Sequence, residues 1–439
     1  MRSPRVLLTG AACIGFAVST VPSSAQDNSE DLETLRAEVA DLKAQLAALA
    51  AKVNASEQRA PTAAPEVKWK GAPEQKSAGG WSFKPRGRIL FDAATVNAPG
   101  SITNDGTGFS NEARRVRLGV SGTVPGGFGY KLEADFAGGG AELTDAYVQY
   151  ADGGLKIIAG QHNNFQGLEE LTSSNDTSFI ERAAYTDAFD LQRKIGLSAQ
   201  YKAGLLLLQG GVFTDNVSDL DSDGNDSIGF DGRIVIMPKF GEAQTHFGAS
   251  YHLTNLGDGI DSRRYRQRPL VHSTDIRFIN TGNIGDAKTE ESYGLEAAII
   301  AGRFHAVAES HWLTLNRRAG NLDPTFFGGS IEAGMFLTND TRDYKDGLFK
   351  GIKVRNPVGG GGLGALQINV RYDHLDLVDA GIIGGIQDSY QASLIWTPID
   401  YIRLLINYGK LDYDQAAITA AGSGDYDVDV FGARFQVSF

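Results

Sequence analysis

The densest chemistry in this chain is a run of arginines. Arg263, Arg264, Arg266, Arg268 and Arg277 fall within fifteen residues of a 439-residue chain whose formal charge is −12. Guanidinium groups stay charged and present a planar fork that suits oxyanions. Packed this closely they repel one another, and a free loop would splay them into water as an ordinary solvated basic segment. Held on a scaffold, they can instead line an aqueous path. An acidic chain repels small anions unless it concentrates positive charge where an anion must pass. What the rest of the sequence builds decides between the two readings.

Other candidate constellations are weaker. Gly359, Gly361 and Gly364 satisfy GxGxxG literally, but no helix or βαβ unit follows, so they read as a flexible turn. Asp219, Asp221, Asp223, Gly224 and Asn225 imitate a calcium loop whose twelfth position, Phe230, cannot supply a bidentate carboxylate. The bland reading is an acidic loop, the sharper one a weak external cation site. His305 and His311 alternate with Glu309 on one strand face and read as lumen polar groups rather than a metal site. No Ser-His-Asp arrangement can be placed from spacing, which leaves a barrel hydrolase only as an enzyme-class alternative. The expectation is a protein that is not an enzyme and uses no cofactor.

The elements that must position the arginines begin with a leader. Residues 1–25 read as a secretory signal peptide: Arg2 and Arg5, an apolar core at 6–18, then Ser23-Ser24-Ala25. Its removal takes two positive charges, leaving −14, and also takes the one cysteine, Cys13, so disulfide and thiolate chemistry are excluded. Leu32, Leu35, Val39, Leu42, Leu46, Leu49 and Val53 alternate spacings of three and four, the seam of a coiled coil assigned to residues 26–59. Residues 60–80, with Pro61, Pro65 and Pro73, read as a semi-extended linker. No stretch after the leader approaches 18 apolar residues, so no helix is expected to span a membrane.

From Trp81 to Phe439 the hydrophobic period is two. Leu366, Ile368, Val370 and Tyr372 interleave with Gln367, Asn369, Arg371 and Asp373; Phe431, Ala433, Phe435 and Val437 interleave with Gly432, Arg434, Gln436 and Ser438. Each segment therefore has one apolar and one polar face. A soluble sandwich would bury the apolar faces against each other. A membrane barrel would turn them to lipid and keep the polar faces around water. Sixteen such segments, from 83–96 to 426–439, are joined mostly by short links alternating with longer polar loops, which favours the barrel. An even count returns both ends to one side. The two long loops are 162–191 and 256–288, and the second carries the arginines. The expected fold is all-β: a 16-stranded antiparallel transmembrane β-barrel over 81–439 with an N-terminal coiled-coil helix.

At this point the residues resemble the phosphate-selective porin O/P family of Gram-negative outer membranes, over essentially the whole chain after the leader. The likeness is carried by Gly87-Arg88-Ile89, by Arg114-Arg115-Val116-Arg117-Leu118-Gly119, by Ala146-Tyr147-Val148-Gln149-Tyr150, by Ser178-Phe179-Ile180-Glu181-Arg182-Ala183 and by the basic segment 261–269. The resemblance implies a homotrimer of sixteen-stranded barrels, each with a narrowed pore and an arginine ladder leading to a basic central site. By position, Arg263, Arg264, Arg266 and Arg268 are similar to the ladder, and Arg88, Arg114, Arg115 and Arg182 to central-site arginines. One departure is plain. Members of the family carry lysines in the constriction loop near positions that here read Glu169-Glu170 and Asn175-Asp176, and this chain has no lysine between Lys156 and Lys194.

The resulting expectation is an outer-membrane porin for passive diffusion of small anions, phosphate or related oxyanions among them, with the coiled coil in the periplasm. Its partners are outer-membrane lipid, small anions and two further copies of itself, and no nucleic acid. Two alternatives stand beside it. One is a less selective porin for other small solutes, suggested by the acid-rich constriction loop. The other is a structural tether that acts through its coiled coil.

Overall fold

The computed structural model of the chain describes residues 28–57, 66–219, 226–318 and 320–439. The leader, and positions 220–225 of the calcium-like loop, lie outside the described residues. The chain divides into two units, Met1–Ala64 and Pro65–Phe439. In the first, α1 (Asn28–Glu57) is one unbroken helix of 30 residues. Ala, Leu, Glu, Lys and Gln dominate it, all strong helix formers.

The second unit is a closed barrel. Its strands are β1 (Ser82–Asn97), β2 (Gly108–Val124), β3 (Phe128–Asp135), β4 (Glu142–Asp152), β5 (Leu155–Asn163), β6 (Arg193–Ala203), β7 (Leu206–Phe213) and β8 (Ile228–Ile236). They continue as β9 (Ala243–Asn255), β10 (Ala287–Ala301), β11 (Phe304–Arg317), β12 (Thr325–Phe336), β13 (Ala365–Asp379), β14 (Ile382–Ile399), β15 (Ile402–Asp414) and β16 (Tyr426–Ser438). Each pairs antiparallel with its neighbour, and β16 closes on β1 in a register running from Asp429↔Asn97 to Ser438↔Arg88. The sixteen expected segments correspond to these strands one for one. Closure leaves the barrel no free edge, so its backbone groups pair without water.

The faces follow the period-two pattern. Leu118, Val370, Phe431 and Phe435 point outward and are exposed, while Asp92, Arg117, Glu296, Arg371 and Arg434 point inward and are buried. An apolar outside around a charged inside is the reverse of a soluble barrel and matches lipid outside, water within.

The end where β1 begins and β16 finishes is called the near end here, the other the far end. Most near-end links are short, such as Gly153-Gly154 between β4 and β5. Residues 66–76, expected within the linker, instead form a hairpin of Glu66–Lys70 and Ala72–Lys76, and the second arm extends the sheet beside β1. Val67 and Trp69 alternate with Lys68 and Lys70, and Gly71 supplies the turn at φ 77. The larger surprise is 337–364, between β12 and β13. The sequence reading allowed two long loops; this is a third, and it enters the lumen from the near end. Gly359, Gly361 and Gly364 all take positive φ in its last turns, before β13 and with no helix following.

The lumen is not an open tube. Residues 256–286 fold inward through two short ladders, Ser262–Arg263 with Ile284–Gly285 and Arg266–Gln267 with Ile279–Asn280. Tyr265, Leu270, Val271, Phe278 and Ile279 then pack on Ala184, Tyr185 and Phe189 of the loop after β5, and on Leu411, Tyr413 and Val428 of the wall. At about 1.5–3 kcal/mol per buried large side chain, that apolar core is enough to hold both loops in place.

Candidate functional site

The loop after β5, residues 164–192, crosses the lumen and carries two short helical turns, α2 (Leu168–Leu171) and α3 (Ala184–Ala188). A crossing segment of this kind exposes backbone groups that need partners. The barrel wall and, through Arg342, the near-end loop supply them, largely from arginines. Arg342 donates to the Asp176 carbonyl at 2.9 Å, Arg403 to Thr177 at 2.9 Å, Arg434 to Ile180 at 2.6 Å and Arg371 to Glu181 at 3.0 Å. Carboxylates take the N–H groups: Glu309 accepts from Leu168 and Asp373 from Ala184, at 2.9 and 2.7 Å. A hydrogen bond to a charged group contributes about 1.5–3 kcal/mol, so six such latches fix the loop firmly. Glu181 is clamped as well, in a two-pronged pair with Arg114 (2.8 and 3.1 Å) and at 3.0 Å from Arg434. Burial alone would raise the Glu181 carboxyl, but Arg114 and Arg434 outweigh it and hold the group well below the usual carboxylate range.

Beside this loop lies a cavity of about 330 Å³. The barrel wall lines it with Arg88, Arg115, Arg117, Lys131, Lys156 and Arg193; the crossing loop adds Arg182, and the near-end loop adds Lys350. Four carboxylates oppose these eight cations. Asp145 pairs with Lys131 (2.7 Å) and Arg193 (3.1 Å), Asp135 with Arg117 (2.7 Å), Glu133 with Arg88 (3.5 Å), and Glu170 with Arg182 (3.4 Å). Among the described residues Arg115, Lys156 and Lys350 have no acidic partner, and Arg115 Nε has no hydrogen-bond partner. Ser174 lies at hydrogen-bond distance from Arg88 (3.0 Å), and Tyr147 and His162 add polar lining. The cavity is thus polar, concave and positively charged in a chain that is negative overall, the arrangement that concentrates anions.

The four residues assigned to the central site part company here. Arg88, Arg115 and Arg182 line the cavity. Arg182 spends most of its donors on the loop's own carbonyls, those of Glu169, Glu170 and Thr172. Arg114 does not line the cavity; it is the clamp on Glu181. The residues that sequence reasoning missed are Arg117, Lys131, Lys156, Arg193 and Lys350. Arg117 had a signal, since it lies two residues from Arg115 on one strand and so shares its face. Lys350 had none, because only the folding-in of 337–364 brings it there.

The arginine run divides too. Arg263 makes a two-pronged pair with Glu290 at 2.8 Å, and Tyr265 donates to the same carboxylate at 2.6 Å. Arg268 sits between Asp187 (3.4 Å) and Asp275 (2.9 Å). Arg264 and Arg266 have no acidic partner among the described residues; Arg264 is exposed and Arg266 half-buried. Arg277 is buried against the loop, and burial first, then the charge of Arg268, pushes its pKa down to about 10.

The near-end loop is pinned inside by a polar relay. His246 bridges Tyr344 (2.6 Å) and Glu296 (3.0 Å), Glu296 pairs with Arg233, and Arg233 donates to the Gly347 carbonyl at 3.2 Å. Asp346 meets Lys202 at 2.5 Å. Glu309, read from sequence as a lumen polar group with His305 and His311, proves to hold the crossing loop. No group of three His, Cys, Asp or Glu side chains that could hold a metal occurs among the described residues.

Comparison with known proteins agrees with this architecture. An uncharacterized protein of Caulobacter vibrioides is 42% identical over 473 aligned positions, covering 99% of this chain and 95% of its own length. Among solved structures, an anion-selective porin from Comamonas acidovorans superposes with TM-score 0.55 at 14% identity, over 82% of this chain and all of its own. OmpT, an outer membrane protein of Vibrio cholerae, superposes with TM-score 0.53 at 11% identity, over 83% of this chain and 99% of its own. At these identities the structural likeness speaks to fold alone. The sequence profile described as phosphate-selective porin O and P matches residues 83–439. With a closed sixteen-strand barrel, an apolar outer face and a narrowed charged lumen already in view, that match settles the class: this is a non-enzymatic outer-membrane porin, and the chain belongs to the phosphate-selective porin O and P family.

Proposed function

We propose that this porin passes small anions, including phosphate and related oxyanions, by diffusion through the basic cavity, and that it works as a homotrimer with its N-terminal helix in the periplasm. The observation that carries the reading is the cavity itself, where eight cations face four carboxylates inside an acidic chain. The lysines missing from the crossing loop have counterparts in Lys131 and Lys156 of the wall and Lys350 of the near-end loop. Arg264 and Arg266, without acidic partners, serve as the outer steps of the path. Arg263 and Arg268 shape the loop as much as they attract ions, because carboxylates already neutralise them. One of the solved barrels, OmpT, is recorded in a trimer form, which supports the assembly proposed here.

A less selective channel is the competing reading, favoured by Glu169, Glu170, Asp176 and Glu181 in the crossing loop. Chloride current through single channels, titrated with phosphate, separates the two. Saturable block supports an oxyanion site, and current that phosphate leaves unchanged at every concentration supports the general porin.

A further inference from the structure

The helix α1 carries a stripe that no described residue of its own unit covers. Leu35, Val39, Leu42, Leu46 and Leu49 are between 48% and 65% exposed, on a seam that repeats every seven residues. A strict seven-residue repeat drifts around a straight helix and stays on one side only when helices supercoil about one another. The charges beside the seam say which helices. In that repeat Glu38 occupies position g, and Lys43 occupies position e of the following heptad. On their own helix neither has an opposite charge within reach. The neighbours of Glu38 three and four residues away are Thr34, Leu35, Asp41 and Leu42, and those of Lys43 are Val39, Ala40, Leu46 and Ala47. Neither residue pairs with an opposite charge among the described residues.

We infer that α1 docks on α1 of other copies of this chain as a parallel, in-register coiled coil, its register set by Glu38 of one copy against Lys43 of the next. Contact between g and the following e arises in parallel helices. Asp31 and Arg36 repeat the same offset one heptad earlier in the sequence. An antiparallel pairing with aligned apolar layers instead sets e against e and brings Arg36 against Lys43, cation on cation. Copies that span one membrane share one orientation, so a parallel coil is also the arrangement compatible with neighbouring barrels. The inference does not depend on what solute the barrel passes.

Disulfide trapping in the full chain tests it, in a Cys13→Ala background, with heat-modifiable mobility as the check that the barrel is folded. Leu35→Cys places a thiol at position d, where parallel in-register copies bring it beside its own counterpart within disulfide reach. The expected result under mild oxidation is a covalent dimer of Leu35→Cys. Adding Glu38→Lys or Lys43→Glu should leave roughly fivefold fewer cross-links, and the two changes together should restore them. In the antiparallel arrangement residue 35 lies opposite residue 46. Cross-linking only in a mixture of Leu35→Cys and Leu46→Cys chains would overturn the inference, as would no cross-link at all, or a swapped-charge variant that fails to recover.

Discussion

Arg114 and Arg115 are adjacent in sequence, and the structure gives them opposite duties. Arg115 lines the basic cavity without an acidic partner, whereas Arg114 clamps Glu181 and stays outside the cavity. Replacing each by Met keeps length and removes charge. For Arg115→Met the size of the effect follows from Coulomb's law. An anion about 7 Å away gains about 0.6 kcal/mol from one such charge at a dielectric of 80, and about 2.4 kcal/mol at 20. Local anion concentration should then fall by a factor of roughly three to sixty at low salt, nearer three because the cavity lining is mostly polar and charged. In molar salt the screening length shrinks to about 3 Å and the effect should nearly vanish. Arg114→Met should leave ion preference within about a factor of two, because its charge is already compensated, but it frees Glu181 and loosens the crossing loop. That change should appear as open-channel noise. The assay is single-channel recording of folded protein at 0.05 and 1 M potassium chloride. Equal losses of chloride preference in the two variants, or none in Arg115→Met, would refute the division of labour.

The remaining predictions concern separate parts of the molecule. Arg264→Ala with Arg266→Ala should lower chloride conductance at low salt, whereas Arg263→Ala, which strands Glu290, should mainly lower the thermal stability of the folded barrel; calorimetry alongside conductance distinguishes them. Removing residues 343–350 between flexible linkers should raise single-channel conductance, because that hairpin occupies the lumen; unchanged conductance would show that it lies off the ion path. Phe435→Asp puts a charge on the outer face at a cost of about 2–4 kcal/mol near the bilayer midplane, and should abolish the heat-modifiable band, while Gln200→Asp in the cavity should fold. The depressed Glu181 carboxyl sets an acid limit. Its stabilising contribution is complete above its unfolded value of about 4.3 and is lost only as pH falls through the lower folded value. The difference in open-channel noise between the parent chain and Arg114→Met should therefore persist from pH 7 to about 4.5, and its loss already at pH 6 would contradict the clamp.

Much of the barrel is written in the period of the sequence. The segments 302–315 and 400–412 were expected from alternation alone and appear as Phe304–Arg317 and Ile402–Asp414. Errors lie where local pattern competes with tertiary structure. The strands expected at 363–374 and 386–398 extend to Asp379 and start at Ile382, joined by a two-residue turn in which Ala380 and Gly381 both take positive φ. Leu375 and Leu377 there face the apolar core formed by the infolded loops, not lipid. The near-end loop was invisible because 337–364 has no sustained period of two and no helical stripe; only Leu348, Phe349, Ile352 and Val354 hint that it finds an interior. The basic site was half legible. Arg88, Arg115 and Arg182 could be placed by resemblance, and Arg117 by strand period. Which charges remain uncompensated could not, since Glu181 lies 67 residues from Arg114 and Glu290 lies 27 from Arg263.

The central claim is that a cation-lined cavity makes the lumen of an acidic protein an anion path. The reversal potential across a bilayer separating tenfold different concentrations of potassium chloride tests it most directly. The account predicts a potential of the sign set by chloride, approaching the roughly 59 mV limit for a monovalent ion. A potential near zero, or of the sign set by potassium, would contradict it.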